Sequence, residues 1–142
     1  LSSTTVIFVA SVADPLNAPE KVPVVKVFVD GLYRCILERA PEQAGFDGWV
    51  AAPAGSLKFS FIFKTFFESG EYVLRSTSNK VYVEQLYQCV LGRTGESADV
   101  SVWENALING TTRAAVLDSF LNSIEFRNTR GPVLKAQTGW NI

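Results

Sequence analysis

The sequence predicts an all-α protein of two tandem three-helix units with a 54-residue period, preceded by an extended N-terminal segment. Three observations predict it. Shifted by 54 positions, the sequence matches itself without a gap. Within each copy the apolar residues recur at helical rather than alternating spacing. The chain is 47% hydrophobic and only 19% charged, which fits a packed domain and argues against disorder. Its 142 residues suffice to bury roughly 70% of the surface that the unfolded chain exposes.

The repeat runs from Lys26-Val-Phe-Val-Asp-Gly-Leu-Tyr-Arg-Cys-Ile-Leu-Glu-Arg39 over Lys80-Val-Tyr-Val-Glu-Gln-Leu-Tyr-Gln-Cys-Val-Leu-Gly-Arg93. It continues through Glu42 over Glu96 and Trp49 over Trp103, and it ends with Phe66 to Tyr72 over Phe120 to Phe126. From 26 to 72 there are 15 identities in 47 aligned positions, so internal repetition is the first fact about this chain.

Each unit reads as three helices. The first covers 26–37, where Phe28, Leu32, Cys35 and Ile36 form one apolar stripe. Its copy covers 80–91 and stops at Gly92, a residue suited to ending a helix. The first copy has Glu38 in that place and must end without a glycine. The second helix carries Phe46, Trp49 and Val50, with Glu42 as an acid near its positive end. Its copy carries Val100, Trp103 and Leu107. The third starts near Ser56, and in the copy at Thr111 or Thr112, all suitable N-caps. The run from Phe59 to Phe67 is apolar enough to be buried on most sides.

Four segments follow: an extended N-terminus at 1–25, units at 26–76 and 77–130, and a tail at 131–142 expected to wrap the helical body in extended form. Thr4, Thr5, Val6, Ile7 and Val9 favour extended chain near the start. The apolar stretch at 6–13 is far short of the about 20 residues that cross a bilayer, so no membrane insertion is expected. A chain beginning at Leu1 is expected to be processed, or part of a longer protein. The helical body offers no sheet to pair with the N-terminal segment. Association through it is therefore expected, giving a homo-oligomer, as trimer or dimer; the alternative is a monomer with the segment laid along its own helical body.

Several function classes are disfavoured. Thirteen basic and fourteen acidic residues leave a net charge of -1, with no surplus to neutralise nucleic acid. Histidine is absent, and with it the commonest general base and zinc ligand. No phosphate loop, nucleophile elbow or calcium-loop spacing occurs. Neither a cofactor nor a catalytic or metal site is expected. Asn109-Gly110-Thr111 matches a glycosylation acceptor, a pattern common by chance.

Of the residues that could carry a function, most also have a structural reading. Arg39 and Arg93 recur with Glu71 and Glu125, and a guanidinium can fork a ligand carboxylate or phosphate. Recurrence of both members favours a tie between the first helix and the acid after the third. If such a pair is buried, removing one partner costs about 3–5 kcal/mol. Trp49 and Trp103 offer faces for sugar stacking, but their place on an apolar stripe favours core packing. Trp140 stands in a polar tail and is the candidate for an exposed ligand contact, the alternative being that it plugs a groove. Cys35 and Cys89 occupy equivalent positions. They are either buried free thiols or, if the units meet through their first helices about a pseudo-two-fold axis, a disulfide.

The spaced string Leu32-Tyr33-Arg34, Leu37, Arg39, Pro41-Glu42, Gly45-Phe46, Trp49, followed by Phe66, Ser69 and Glu71-Tyr72, resembles the bacterial domain-of-unknown-function family 4214. More distantly, it is similar to the linker proteins of phycobilisome rods. The second copy departs from the string, with Gln88, Gly95 and Asp99 in place of the first arginine, the proline and the glycine. That weakens any role needing two equivalent surface sites. The resemblance implies helical repeats of bacterial secreted and cell-surface proteins, a non-catalytic exported interaction module with no agreed ligand or active site. The chain is accordingly expected to be a non-enzymatic adhesion or binding module, such as a fibre-tip domain, for a protein or glycan. A structural linker organising a larger assembly is the alternative.

Overall fold

The computed structural model describes residues 21–142, and all of its regular elements are helical. The extended segment expected at 1–20 lies outside the described residues. Helix α1 (Lys21–Leu32) begins five residues before the sequence boundary at 26. Pro23 accounts for the misplacement. It reads as a breaker, but the first-turn N–H groups have no intrahelical acceptor, so a proline there removes nothing.

A π-helical turn, Tyr33–Leu37, ends α1. Glu38 then takes the left-handed conformation at φ 55°, where the copy has Gly92 at φ 74°. An L-residue in that region costs about 1–2 kcal/mol. Glu38 is held there by its N–H to the Tyr33 carbonyl and by an ion pair to Arg75 at 2.7 Å.

Helix α2 (Gln43–Val50) follows, then α3 (Phe59–Phe67), which buries Phe59, Ile62, Phe63, Phe66 and Phe67. Ser56 does not cap α3. Its hydroxyl donates to the Pro53 carbonyl and closes the preceding turn, leaving the cap position to Lys58. A short α4 (Gly70–Leu74) is capped by Ser69, whose hydroxyl accepts the Tyr72 N–H at 3.1 Å.

In the second half, α5 (Asn79–Gln85) runs into a π-turn at Leu86–Val90. Then come α6 (Ser97–Ile108) and α7 (Arg113–Leu121). Thr112 caps α7 through the Ala115 N–H at 3.1 Å. Ser123 accepts the Phe126 N–H in the way Ser69 accepts that of Tyr72.

The tail departs from expectation. From Gly131 it is helical rather than extended: a π-turn at Phe126–Arg130 leads into α8 (Gly131–Thr138). Pro132 sits in the first turn of α8, where its missing donor is harmless, and buried Leu134 seals the helix against α1. Gly139, at φ 81°, stops it. Only the last residues wrap the body. Asn141 pairs its backbone with Leu57 and Phe59 at 2.8 Å, and Gly55 donates to Gly139.

One hydrophobic core runs through both halves. Among the described residues, the pairs Cys35–Cys89 and Lys64–Asp118 bring together residues 54 positions apart. Cys35 and Cys89 form a disulfide with Cα atoms 5.8 Å apart, so the reading as free thiols is corrected. The two π-turns pack together and bring these positions within bonding range. Lys64 on α3 pairs with Asp118 on α7 at 2.7 Å. Gln85 adds a buried polar tie: it accepts from the Tyr72 hydroxyl and donates to the Cys35 carbonyl.

Candidate functional site

The residues of the spaced motif converge at the end of the first helix. Arg39 grips Glu71 with both sides of its fork, Nε to Oε2 at 2.6 Å and Nη2 to Oε1 at 2.8 Å. Its third nitrogen donates to Glu42 at 2.6 Å and to the Ala40 carbonyl at 2.9 Å. The guanidinium lies over the Tyr33 ring, 5.2 Å from its centre, and the Tyr33 hydroxyl donates to Glu42. Gly45 leaves room for this knot, since a Cβ there would come within 2.3 Å of Glu42 and 2.6 Å of Tyr33. Tyr33 and Trp49 both pack on Phe66, with ring centres 5.0 and 5.6 Å away.

A second knot repeats the arrangement. Arg93 forks Glu125 at 2.7 and 2.9 Å and lies 5.0 Å over Tyr87. Tyr87 and Trp103 pack on Phe120. The arm to a second glutamate is missing, because among the described residues Glu96 has no ion pair.

Both forks are occupied within the chain. Trp49 and Trp103 are half-buried. The Arg39 and Glu71 side chains are 36% and 42% exposed, so the cost considered for a buried pair does not apply. Solvent screens such pairs.

Hydrogen bonds from Arg39 hold the Glu71 and Glu42 carboxyls below the ordinary glutamate range, and Arg93 does the same to Glu125. A depressed carboxyl pKa stabilises the fold above the unfolded value, near 4.3, and that contribution disappears as pH falls through the folded values. The melting temperature should therefore be level between about pH 8 and 5 with respect to these groups, and fall on further acidification. Arg39→Ala should lower it only slightly at neutral pH and flatten the acid fall. Thermal melts of both proteins across pH check this, and a large neutral-pH loss would contradict the exposed geometry.

Trp140 is not an exposed contact. It is 1% exposed, packed edge-on to Phe28 and Phe59 with ring centres 6.0 and 6.4 Å away. Its polar neighbours in sequence concealed this, because the chain reverses at Gly139 and turns the indole inward.

A separate groove of about 310 Å3 opens between α1, α8 and the disulfide. Val24, Val27, Phe28 and Leu134 supply apolar walls, and among the described residues Arg130 is its one charged lining residue. The motif carried no signal for Arg130, whose counterpart 54 positions earlier is Ser76.

A family profile described as a domain of unknown function, DUF4214, matches residues 60–130, or 71 of the 142. The chain belongs to this family. Comparison with curated proteins and with solved structures gave no match. In this DUF4214 chain the matched stretch takes in α4 to α7 and most of α3. It holds Glu71, Arg93, Trp103, Glu125 and Arg130, while Arg39, Trp49 and Trp140 lie outside it. Among the described residues, no helix of the DUF4214 chain is long and apolar enough to cross a membrane.

Proposed function

We propose that residues 26–76 and 77–130 are equivalent helical units packed about an internal two-fold axis, and that the chain is a non-enzymatic binding or adhesion module of the bacterial exterior. Support for the axis comes from the contacts between counterparts. Residues meet their own equivalents only near a two-fold axis, as Cys35 meets Cys89 and Lys64 meets Asp118. In a symmetric pair of identical units a lysine at position 64 faces another lysine. Asp118 in the second unit replaces that repulsion with an ion pair. The two Arg–Glu knots, 54 residues apart, support the same reading.

The disulfide supports an extracellular or cell-surface location, since such bonds persist in oxidising surroundings. The observation that carries the binding reading is the groove beside that bond, concave and mainly apolar, with Gln88, Gln137 and Arg130 as its polar groups among the described residues, the usual make-up of a ligand site. The alternative, a linker within an assembly, draws on Val73 and Leu74, large apolar residues exposed at the junction of the two halves.

Presenting the labelled full chain to glycan arrays and bacterial surface-protein arrays tests the proposal. The expected result is saturable binding to one ligand that mass spectrometry recovers unchanged. Turnover of the bound ligand would overturn the non-enzymatic reading. Absence of binding together with concentration-dependent polymers in sedimentation would favour the linker.

A further inference from the structure

The disulfide is flanked by two grooves of opposite character. One, about 460 Å3, is lined by Glu38, Glu84, Val81 and Gln85. The other, about 310 Å3, has Val27 and Gly31 in the places 54 positions before Val81 and Gln85. Cys35, Gln88 and Cys89 border both. The two thus stand at related positions across the bond, yet one carries acidic groups and the other carries Arg130, with no carboxylate among its described lining residues.

Arg130 is unlike Arg39 and Arg93. It makes no ion pair or hydrogen bond among the described residues, and its Nε is buried without a partner. The guanidinium rests on Gly92, where a Cβ would come within 2.8 Å of its central carbon, so a side chain at 92 would displace it. A guanidinium partly drawn out of water, its Nε buried without a counter-charge, is unfavourable, and the group that relieves it best is a carboxylate, which accepts from the planar fork. The walls beside it are hydrocarbon: Val24, Val27, Phe28 and Leu134.

We propose that this groove binds a small carboxylate with an apolar body, its acid group on Arg130 and its hydrocarbon along α1 and α8. The proposal rests on the reading of the chain as a binding module and names the ligand chemistry of one site in it. The like-charged groove across the disulfide repels the same ligand, so one molecule binds per chain. Gln88 and Gln137 at the border supply polar contacts at the rim.

Titration calorimetry of the full, oxidised chain with octanoate and with octanol tests it. Octanoate is expected to bind with unit stoichiometry, at least tenfold more tightly than octanol. Arg130→Gln should reduce octanoate to the level of octanol and leave octanol unchanged, and Arg130→Lys should restore part of the difference. Val27→Glu, at an exposed position on the wall, should abolish octanoate binding without unfolding, as followed by circular dichroism. Equal binding of octanoate and octanol, or octanoate binding unaffected by Arg130→Gln, would overturn the carboxylate assignment. No octanoate binding to a protein that still binds its array ligand would overturn this inference while the binding-module reading stood. Loss of both would remove that reading as well.

Discussion

Reduction of the Cys35–Cys89 bond is expected to destabilise this protein by about 4 kcal/mol. The bond closes a loop with a sequence separation of 54, and the chain entropy that such a crosslink removes from the unfolded state is of that size. For a chain of this length it corresponds to a fall in melting temperature of about 10–20 °C. Thermal melts of the oxidised protein, the reduced protein and the Cys35→Ser/Cys89→Ser variant measure it. The last two should agree within a few degrees and both lie below the first. Equal melting in all three would show that packing of the π-turns already restrains the unfolded chain, and that the bond adds nothing to the joint between the halves.

Trp140→Ala should be the most damaging single truncation in the tail, at about 3–5 kcal/mol, the usual cost of deleting a buried aromatic. The indole closes the core over Phe28 and Phe59. It also fixes the turn through which Asn141 bonds to Leu57 and Phe59. Removing it opens a cavity and frees those last residues together. Trp140→Phe should lose less, because most of the apolar contact remains. Denaturant midpoints of the three proteins check this. An alanine variant as stable as the parent would return Trp140 to the surface role expected from its polar neighbours.

The helical class was legible because it is written locally and written twice. Apolar residues three and four apart define a helix face, and the same spacing returning 54 residues later excludes coincidence. The Arg39–Glu71 and Arg93–Glu125 pairs were legible on the same ground, since equal separations in two copies point to one contact. Thr112, standing before an apolar helix, was a readable cap.

Where sequence reading failed, it relied on composition in place of packing. Pro23 and Pro132 look like breakers, and only their position in a first turn makes them harmless. Trp140 follows a polar stretch, and nothing periodic there shows that a left-handed Gly139 turns it inward. Arg130 had no partner in the repeat by which to be noticed. What the sequence by itself determined is the helical class and the Arg–Glu contact inside each copy, because those depend on spacing along the chain. Tertiary structure decided the disulfide, the ion pair between Lys64 and Asp118, the burial of Trp140 and the groove at Arg130. Each of these depends on how one helix lies against another, and the same amphipathic stripes are compatible with many such orientations.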